Sequence, residues 1–169
     1  MRTALAVLIP LIAALAGCAP SGPPPGYVIR TPFDESHFAW AAARGQGAVL
    51  GQAFMRTRGG EVKLAAGNPV YLLPANDYTR EMQWAAATGT AAGWANRDPR
   101  MDAYRREVTA DAQGRFAFRG LPAGAYIVST WVFWQLPTRR GTLASMSGGV
   151  LERLIEVGDG ETVEVVLAR

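Results

Sequence analysis

Residues 109–134 read TADAQGRFAFRGLPAGAYIVSTWVFW. Phe116 and Phe118 alternate with Arg115, Ala117 and Arg119, the period-2 pattern of a strand that buries one face. The Asp-Ala-Gln-Gly run at 111–114 is a turn in which Gly114 can take a positive φ at no steric cost. Leu121-Pro122-Ala123-Gly124 is a second turn, with φ fixed at Pro122 and free at Gly124. From Ala125 the chain runs apolar and β-branched to Trp134. The spacing predicts strand, tight turn, strand: a central hairpin. In its second strand Tyr126, Val128, Thr130, Val132 and Trp134 share one face, and Ile127, Ser129, Trp131 and Phe133 the other.

Working outward, residues 48–56 read as a strand that includes Val49, Phe54 and Met55, and 70–73 as a short strand ended by Pro74. Residues 61–64 are a short strand or an extended loop. Strands at 151–157 and 162–167 flank the turn Gly158-Asp159-Gly160, as in a hairpin. Between them, 75–107 departs from β patterning. Asp77 or Thr79 can cap a helix through about Ala87, with Met82 and Ala86 on one face and Gly89 and Gly93 beyond its end. Asp98-Pro99 reads as an N-cap followed by proline at the first helical position, opening a short helix with Met101 and Tyr104. This helical insert is expected to pack over the strands. Upstream, 34–44 reads as a short helix capped by Asp34 and stopped by Gly45, with Phe38 and Trp40 as its large apolar residues.

The 169 residues suit one domain. A charged fraction of 18%, with 19 glycines and 11 prolines, suits a β-rich chain with many turns. The net charge of +3 is mild, Lys63 is the only lysine, and no Lys/Arg run or basic helix is present. Nucleic-acid binding is therefore not expected.

Residues 1–17 read as a targeting peptide: Arg2 supplies the positive start and 4–16 the apolar stretch, too short for a membrane-spanning helix. The segment ends Leu15-Ala16-Gly17-Cys18, which resembles the lipobox of bacterial lipoproteins and implies a diacylglyceryl group on the Cys18 thiol, with further acylation such as palmitate. Cys18 is the one cysteine, so no disulfide can form within the chain. Ala19 follows it; by resemblance to Gram-negative sorting signals this implies the bacterial cell envelope, lipid-anchored, at the outer membrane facing the periplasm. The run APSGPPPG at 19–26 is an extended, proline-rich linker.

Thr109, Asp111, Gly114, Phe116, Phe118, Leu121-Pro122, Gly124, Tyr126 and Val128 together resemble the signature of carboxypeptidase regulatory-like domains. The resemblance implies a mainly β fold, a transthyretin-like (prealbumin-like) antiparallel β-sandwich, here with a short helical insertion. Residues 51–56 and 68–73 resemble that family's opening pair of strands, and 156–167 its closing pair. The implied organisation is a lipoprotein signal peptide at 1–17, then lipidated Cys18, linker and short helix at 18–46, then the sandwich at 47–169 with the insert at 75–107. No catalytic residue carries over, because the zinc ligands of the catalytic domain that accompanies this module in some proteins have no counterparts here.

A search for chemistry finds little. There is no Gly-x-x-x-x-Gly-Lys phosphate loop and no Gly-x-Ser-x-Gly elbow. His37 is the lone histidine and has no partner histidine or cysteine downstream of Cys18, so neither a metal site nor a cofactor is expected. A Ser-His-Asp arrangement is permitted by composition alone. The aromatics are the more informative feature. The family resemblance implies that Tyr126 and Val128 lie in the core, so that Trp131 and Phe133 point outward unless the insert covers them. With Trp84 or Trp94 they would form a platform for a sugar or peptide, and Arg139 and Arg140 would rim it or lie in a solvated loop. The expectation is a non-enzymatic envelope lipoprotein serving as a binding or structural module. Its partners would be the membrane, through Cys18, and an envelope protein, peptide or glycan. The alternatives are a glycan- or peptide-binding lipoprotein using the exposed tryptophans and, third, a hydrolase using His37 with a carboxylate or serine.

Overall fold

Among the described residues eight strands, β1 (Gly47–Arg56), β2 (Val62–Leu64), β3 (Pro69–Pro74), β4 (Arg106–Thr109), β5 (Arg115–Leu121), β6 (Gly124–Gln135), β7 (Met146–Val157) and β8 (Thr162–Ala168), form two four-stranded sheets packed face to face. The α-helix α1 (Asp77–Ala87) lies between β3 and β4 in the chain. The computed structural model describes residues 26–88, 93–136 and 145–169. The leader at 1–17, Cys18, the linker through Pro25, the expected break at Gly89 and the Arg139-Arg140 rim all lie outside the described residues.

The fold is a β-sandwich with a short helical insertion. In the first sheet β1 pairs antiparallel with β5 over its first half and with β2 over its last residues. Its other edge takes β8 in parallel, from Ala48 opposite Thr162 to Phe54 opposite Ala168. The second sheet runs β4-β3-β6-β7, antiparallel throughout. Both expected hairpins are therefore corrected. β5 and β6, joined by the turn at Pro122, lie in different sheets, as do β7 and β8 on either side of Gly158-Asp159-Gly160. These turns carry the chain across the sandwich. The physical reason is burial: Phe116 and Phe118 fill the core from the first sheet, and Tyr126 and Val128 meet them from the second. Tyr126 then closes the crossing, its hydroxyl donating to the Pro122 carbonyl at 2.9 Å. This is the arrangement of a tyrosine corner, and burial pushes the phenol up to about 12.

Alternation fills the rest of the core with Val49, Ala53 and Met55 of β1, Val70 and Leu72 of β3, Leu151 and Ile155 of β7, and Val165 and Leu167 of β8. The turn at 111–114 forms as its residues require: Asp111 Oδ1 accepts from the amides of Gln113 and Arg115, both at 2.8 Å, and Gly114 takes φ +72°.

A third layer covers the outer face of the second sheet. Ile29, Phe38, Leu73, Tyr78, Met82 and Met101 form a separate buried cluster there. The helix is capped by Asn76, not by Asp77 or Thr79: Asn76 Oδ1 accepts from the Thr79 amide and the Thr79 hydroxyl accepts from the Asn76 amide, both at 3.0 Å. Thr79 is thus the reciprocal half of a capping box, and its burial at 0% exposure fits a side chain held between the cap and the Pro74 carbonyl. Asp98 caps the 3-10 helix Pro99–Tyr104 through the Arg100 amide, with proline in the first turn. The insert is not helical to its end, because Arg106 and Glu107 already belong to β4 and pair with β3.

The short helix expected at 34–44 is two 3-10 turns, Glu35–His37 and Ala39–Ala42, with Asp34 capping the first. Two anchors pull this segment apart. Phe38 is fully buried in the outer cluster, whereas Trp40 packs against the sandwich core at the edge of Tyr126.

Candidate functional site

Helix α1 lies across the outer face of β6 and β7 and leaves a groove on each of its sides. Residues spaced two apart on a helix do not share a face. Met82 and Ala85 are buried against the sheet, and Trp84 is turned away at 56% exposure. Trp84 therefore does not meet Trp131, and the four proposed platform residues separate. Trp94 and Trp131 line one groove, Trp84 lines the other, and Phe133 lines neither, standing 51% exposed farther along β6.

The groove of Trp131 holds about 330 Å³. The Trp131 ring lies 5.7 Å from that of Tyr71 at a tilt of 32°, and the Arg105 guanidinium covers Tyr71 at 5.0 Å. Its polar side chains are largely engaged within the protein. Arg97 forms a two-pronged pair with Asp102 at 2.7 and 2.8 Å, Thr130 donates to the Pro69 carbonyl at 2.7 Å, and Gln83 donates to Ser129 at 3.3 Å. The insert half-covers Trp131, and Ile127 and Ser129 on the same face are buried.

The groove of Trp84 holds about 390 Å³, within the roughly 300–1,000 Å³ of small-ligand sites. Arg80 and Ala87 flank Trp84 on the helix at the spacings that share its face. The opposite wall is Ile127 with Glu152 and Leu154, delivered by the pairing of Ser129 with Glu152 and Ile127 with Leu154; Arg153 between them pairs with core-facing Val128 and borders the groove only from the sheet edge, where it also lines a cleft with Arg115 and Glu164. Among the described residues Arg80, Glu152 and Arg153 have no ion-pair or hydrogen-bond partner for their side chains. Partial desolvation pushes the Glu152 carboxyl above the usual glutamate range. Tyr27 supports the indole edge-on at 6.3 Å. Tyr27 is itself fixed by Glu81, whose carboxylate accepts from the Tyr27 hydroxyl at 3.0 Å and from the Arg30 and Thr31 amides at 2.8 Å. An apolar ring face beside an acid and a guanidinium can stack a hydroxyl-rich ligand and hydrogen-bond its edge.

Sequence reasoning found Trp84 but missed Arg80, Glu152, Arg153 and Leu154. The helix spacing would have yielded Arg80. The β7 residues depend on strand register, which the sequence does not print. His37 lines neither groove; it is exposed beside Asp34 at 3.9 Å. No cluster of three metal-ligating side chains occurs among the described residues.

Two four-stranded sheets with crossing turns define a protein of the β-sandwich class, and one solved structure agrees. The chain is similar to a Pseudomonas aeruginosa protein provisionally described as a carbohydrate-binding protein, at 26% identity and a TM-score of 0.70, over 82% of this chain and 99% of that one. It also overlaps the minor pilin of Streptococcus agalactiae at 15% identity and a TM-score of 0.38, over 75% of this chain and 44% of that one, a likeness too low to bear on either fold or function. No protein-family model matches the chain, and no curated protein matches it significantly. The likeness to carboxypeptidase regulatory-like domains accordingly rests on the turn and core residues alone.

Proposed function

We propose that this chain is a non-enzymatic carbohydrate-binding module, held at the periplasmic face of a bacterial outer membrane by lipid on Cys18, and that a saccharide stacks on Trp84. One observation carries the reading: an exposed indole stands in a groove whose acid, Glu152, and guanidinium, Arg80, have no side-chain partner among the described residues. The description attached to the Pseudomonas aeruginosa neighbour supports the ligand class. The lipobox-like Leu15-Ala16-Gly17-Cys18 supports the anchor. The tyrosine corner at Tyr126 and the Asp111 turn support kinship with carboxypeptidase regulatory-like domains. Cleavage of a glycosidic bond commonly takes two carboxylates, and Glu152 is the single one lining this groove among the described residues, which favours retention of the sugar over hydrolysis. The Trp131 groove ranks second because most of its polar groups already bond within the protein.

The test is a screen of envelope glycans by calorimetry, followed by Trp84→Ala. Loss of most of the affinity is expected, with little change in melting, because a few aromatic anchors dominate binding and this ring is exposed. A variant that binds its glycan like the wild type would remove Trp84 from the site. Failure of every glycan to bind the wild type would remove the function.

A further inference from the structure

A third cleft opens at the end of β6 far from the Trp84 groove and on the opposite face of the strand from Trp131. Trp134 lies seven residues beyond Ile127, about 23 Å along the strand at ~3.3 Å per residue. The cleft holds about 570 Å³ where the end of β1, the start of β7 and the end of β8 meet. Its charged side chains are Arg56, Arg58 and Arg169, and the carboxyl end of Arg169 accepts from the Arg56 amide at 2.8 Å. Among the described residues none of the three guanidiniums lies within ion-pair distance of a carboxylate, and none donates a side-chain hydrogen bond. Glu61 and Lys63, beside the last residues of β1, pair with each other. Trp134, half-buried and packed on the sandwich core, forms an apolar wall.

We infer that this cleft binds a phosphate group carried on a small organic body, as in a sugar phosphate. Three guanidiniums in one cleft without a carboxylate side chain as partner suit a ligand of more than a single negative charge. A phosphate monoester brings about −1.5 to −2 at neutral pH, whereas a lone carboxylate brings one. Guanidinium forks match the oxygen geometry of phosphate and bind it in two-pronged fashion. The space decides for an organic carrier over the bare ion. A site of 570 Å³ is of small-molecule size, and an indole wall offers a bare phosphate nothing, but offers a sugar ring a stacking face. The carrier is either a soluble sugar phosphate or the phosphorylated headgroup of a membrane lipid, and the two share the chemistry that the arginines read.

The experiment titrates the purified protein with glucose 6-phosphate, glucose and inorganic phosphate by calorimetry, in the wild type and in Arg58→Gln, Arg169→Gln and Trp84→Ala. Glucose 6-phosphate is expected to bind more tightly than inorganic phosphate, and glucose not to displace it. Each arginine variant is expected to weaken it about tenfold or more, the size of a lost charge-assisted hydrogen bond. Trp84→Ala should leave it unchanged, which separates this site from the glycan groove. A parallel arm uses phosphatidylcholine vesicles with and without phosphatidic acid. Arginine-dependent binding to the phosphatidic acid vesicles assigns the phosphate to a lipid headgroup, and its absence beside binding of glucose 6-phosphate assigns it to a soluble carrier. Both results uphold the site. Equal affinity in wild type and arginine variants, or no binding of any phosphate-bearing probe, would overturn it.

Discussion

The indole of Trp40 lies directly over Gly124: a Cβ placed on Gly124 would stand 2.3 Å from Trp40 Cζ3. Gly124 takes φ +156°, which disfavours a side chain independently of the contact. The same ring meets Tyr126 edge-on, with centroids 5.2 Å apart. Segment 38–47 is thus pinned to the first residues of β6 by an aromatic lid that needs a glycine beneath it. Gly124→Val is expected to destabilise the fold by about 1–3 kcal/mol through overpacking, with backbone strain added. Urea denaturation of Gly124→Val, Trp40→Ala and the double variant checks this. If the lid is the cause, the double variant is less destabilised than the sum of the singles.

Phe116 and Tyr126 face one another's layers across the sandwich, at 6% and 2% exposure. Phe116→Ala or Tyr126→Ala is expected to cost roughly 3–5 kcal/mol. Tyr126→Phe removes only the hydroxyl at the Pro122 corner and is expected to cost about 1 kcal/mol. Thermal melting of the three variants should reproduce that order. Wild-type melting in the alanine variants would contradict the position of the core.

Glu81 ties the segment at 27–31 to α1. Hydrogen bonds from Thr31, its side chain first, and from the Arg30 amide hold its carboxyl down to about 2, against an ordinary 4.5. A depressed carboxylate stabilises the fold above its unfolded value and loses that contribution as the pH falls through the folded one. The tie is therefore expected to be intact above about pH 4.5 and to loosen progressively towards pH 2. Hydrogen exchange at the Arg30 and Thr31 amides across this range reads it directly. Glu81→Gln should show the faster exchange already at neutral pH.

Trp131 is half-buried beneath the insert and lies against Tyr71. Trp131→Ala is expected to lower stability, by less than the roughly 3–5 kcal/mol of a fully buried large aromatic. Glycan affinity should be retained if the ligand sits on Trp84. Melting and glycan calorimetry on the same sample decide between the grooves: a stable Trp131 variant that no longer binds would move the site to the Trp94–Trp131 side.

Cys18→Ser should leave an unprocessed or wrongly processed precursor, because a hydroxyl cannot replace the thiol in lipidation. Metabolic labelling with a palmitate analogue is expected to mark the wild type and not the variant. An unlabelled wild type would refute the anchor.

The local units were legible in the chain alone. Period-2 alternation placed Phe116 and Phe118 inside, because a strand with one buried face turns its alternate residues to the same side. In β6 residues of both faces are buried, and the family resemblance put Tyr126 and Val128 in the core. Asp111 and Gly114 specified their turn, and Asp98-Pro99 its helical start, because these rest on contacts within a few residues. Which sheet each strand joins was not legible. A crossing turn and a hairpin turn share the same Leu-Pro-x-Gly residues, and the choice is made by the partner strands: β1 for β5, β3 and β7 for β6. The candidate site was half legible for the same reason. Its aromatic, Trp84, stands out in the chain. Its acid, Glu152, and the apolar wall of Leu154 lie about seventy residues away, and only the register of β7 on β6 brings them opposite the helix. The arginine cleft was not legible at all, since Arg56, Arg58 and Arg169 share one end of the molecule only because β8 runs parallel to β1 and ends beside it. Propensity and periodicity act over a few residues; the coming together of distant charges is decided by strand pairing, which only the packed tertiary structure fixes.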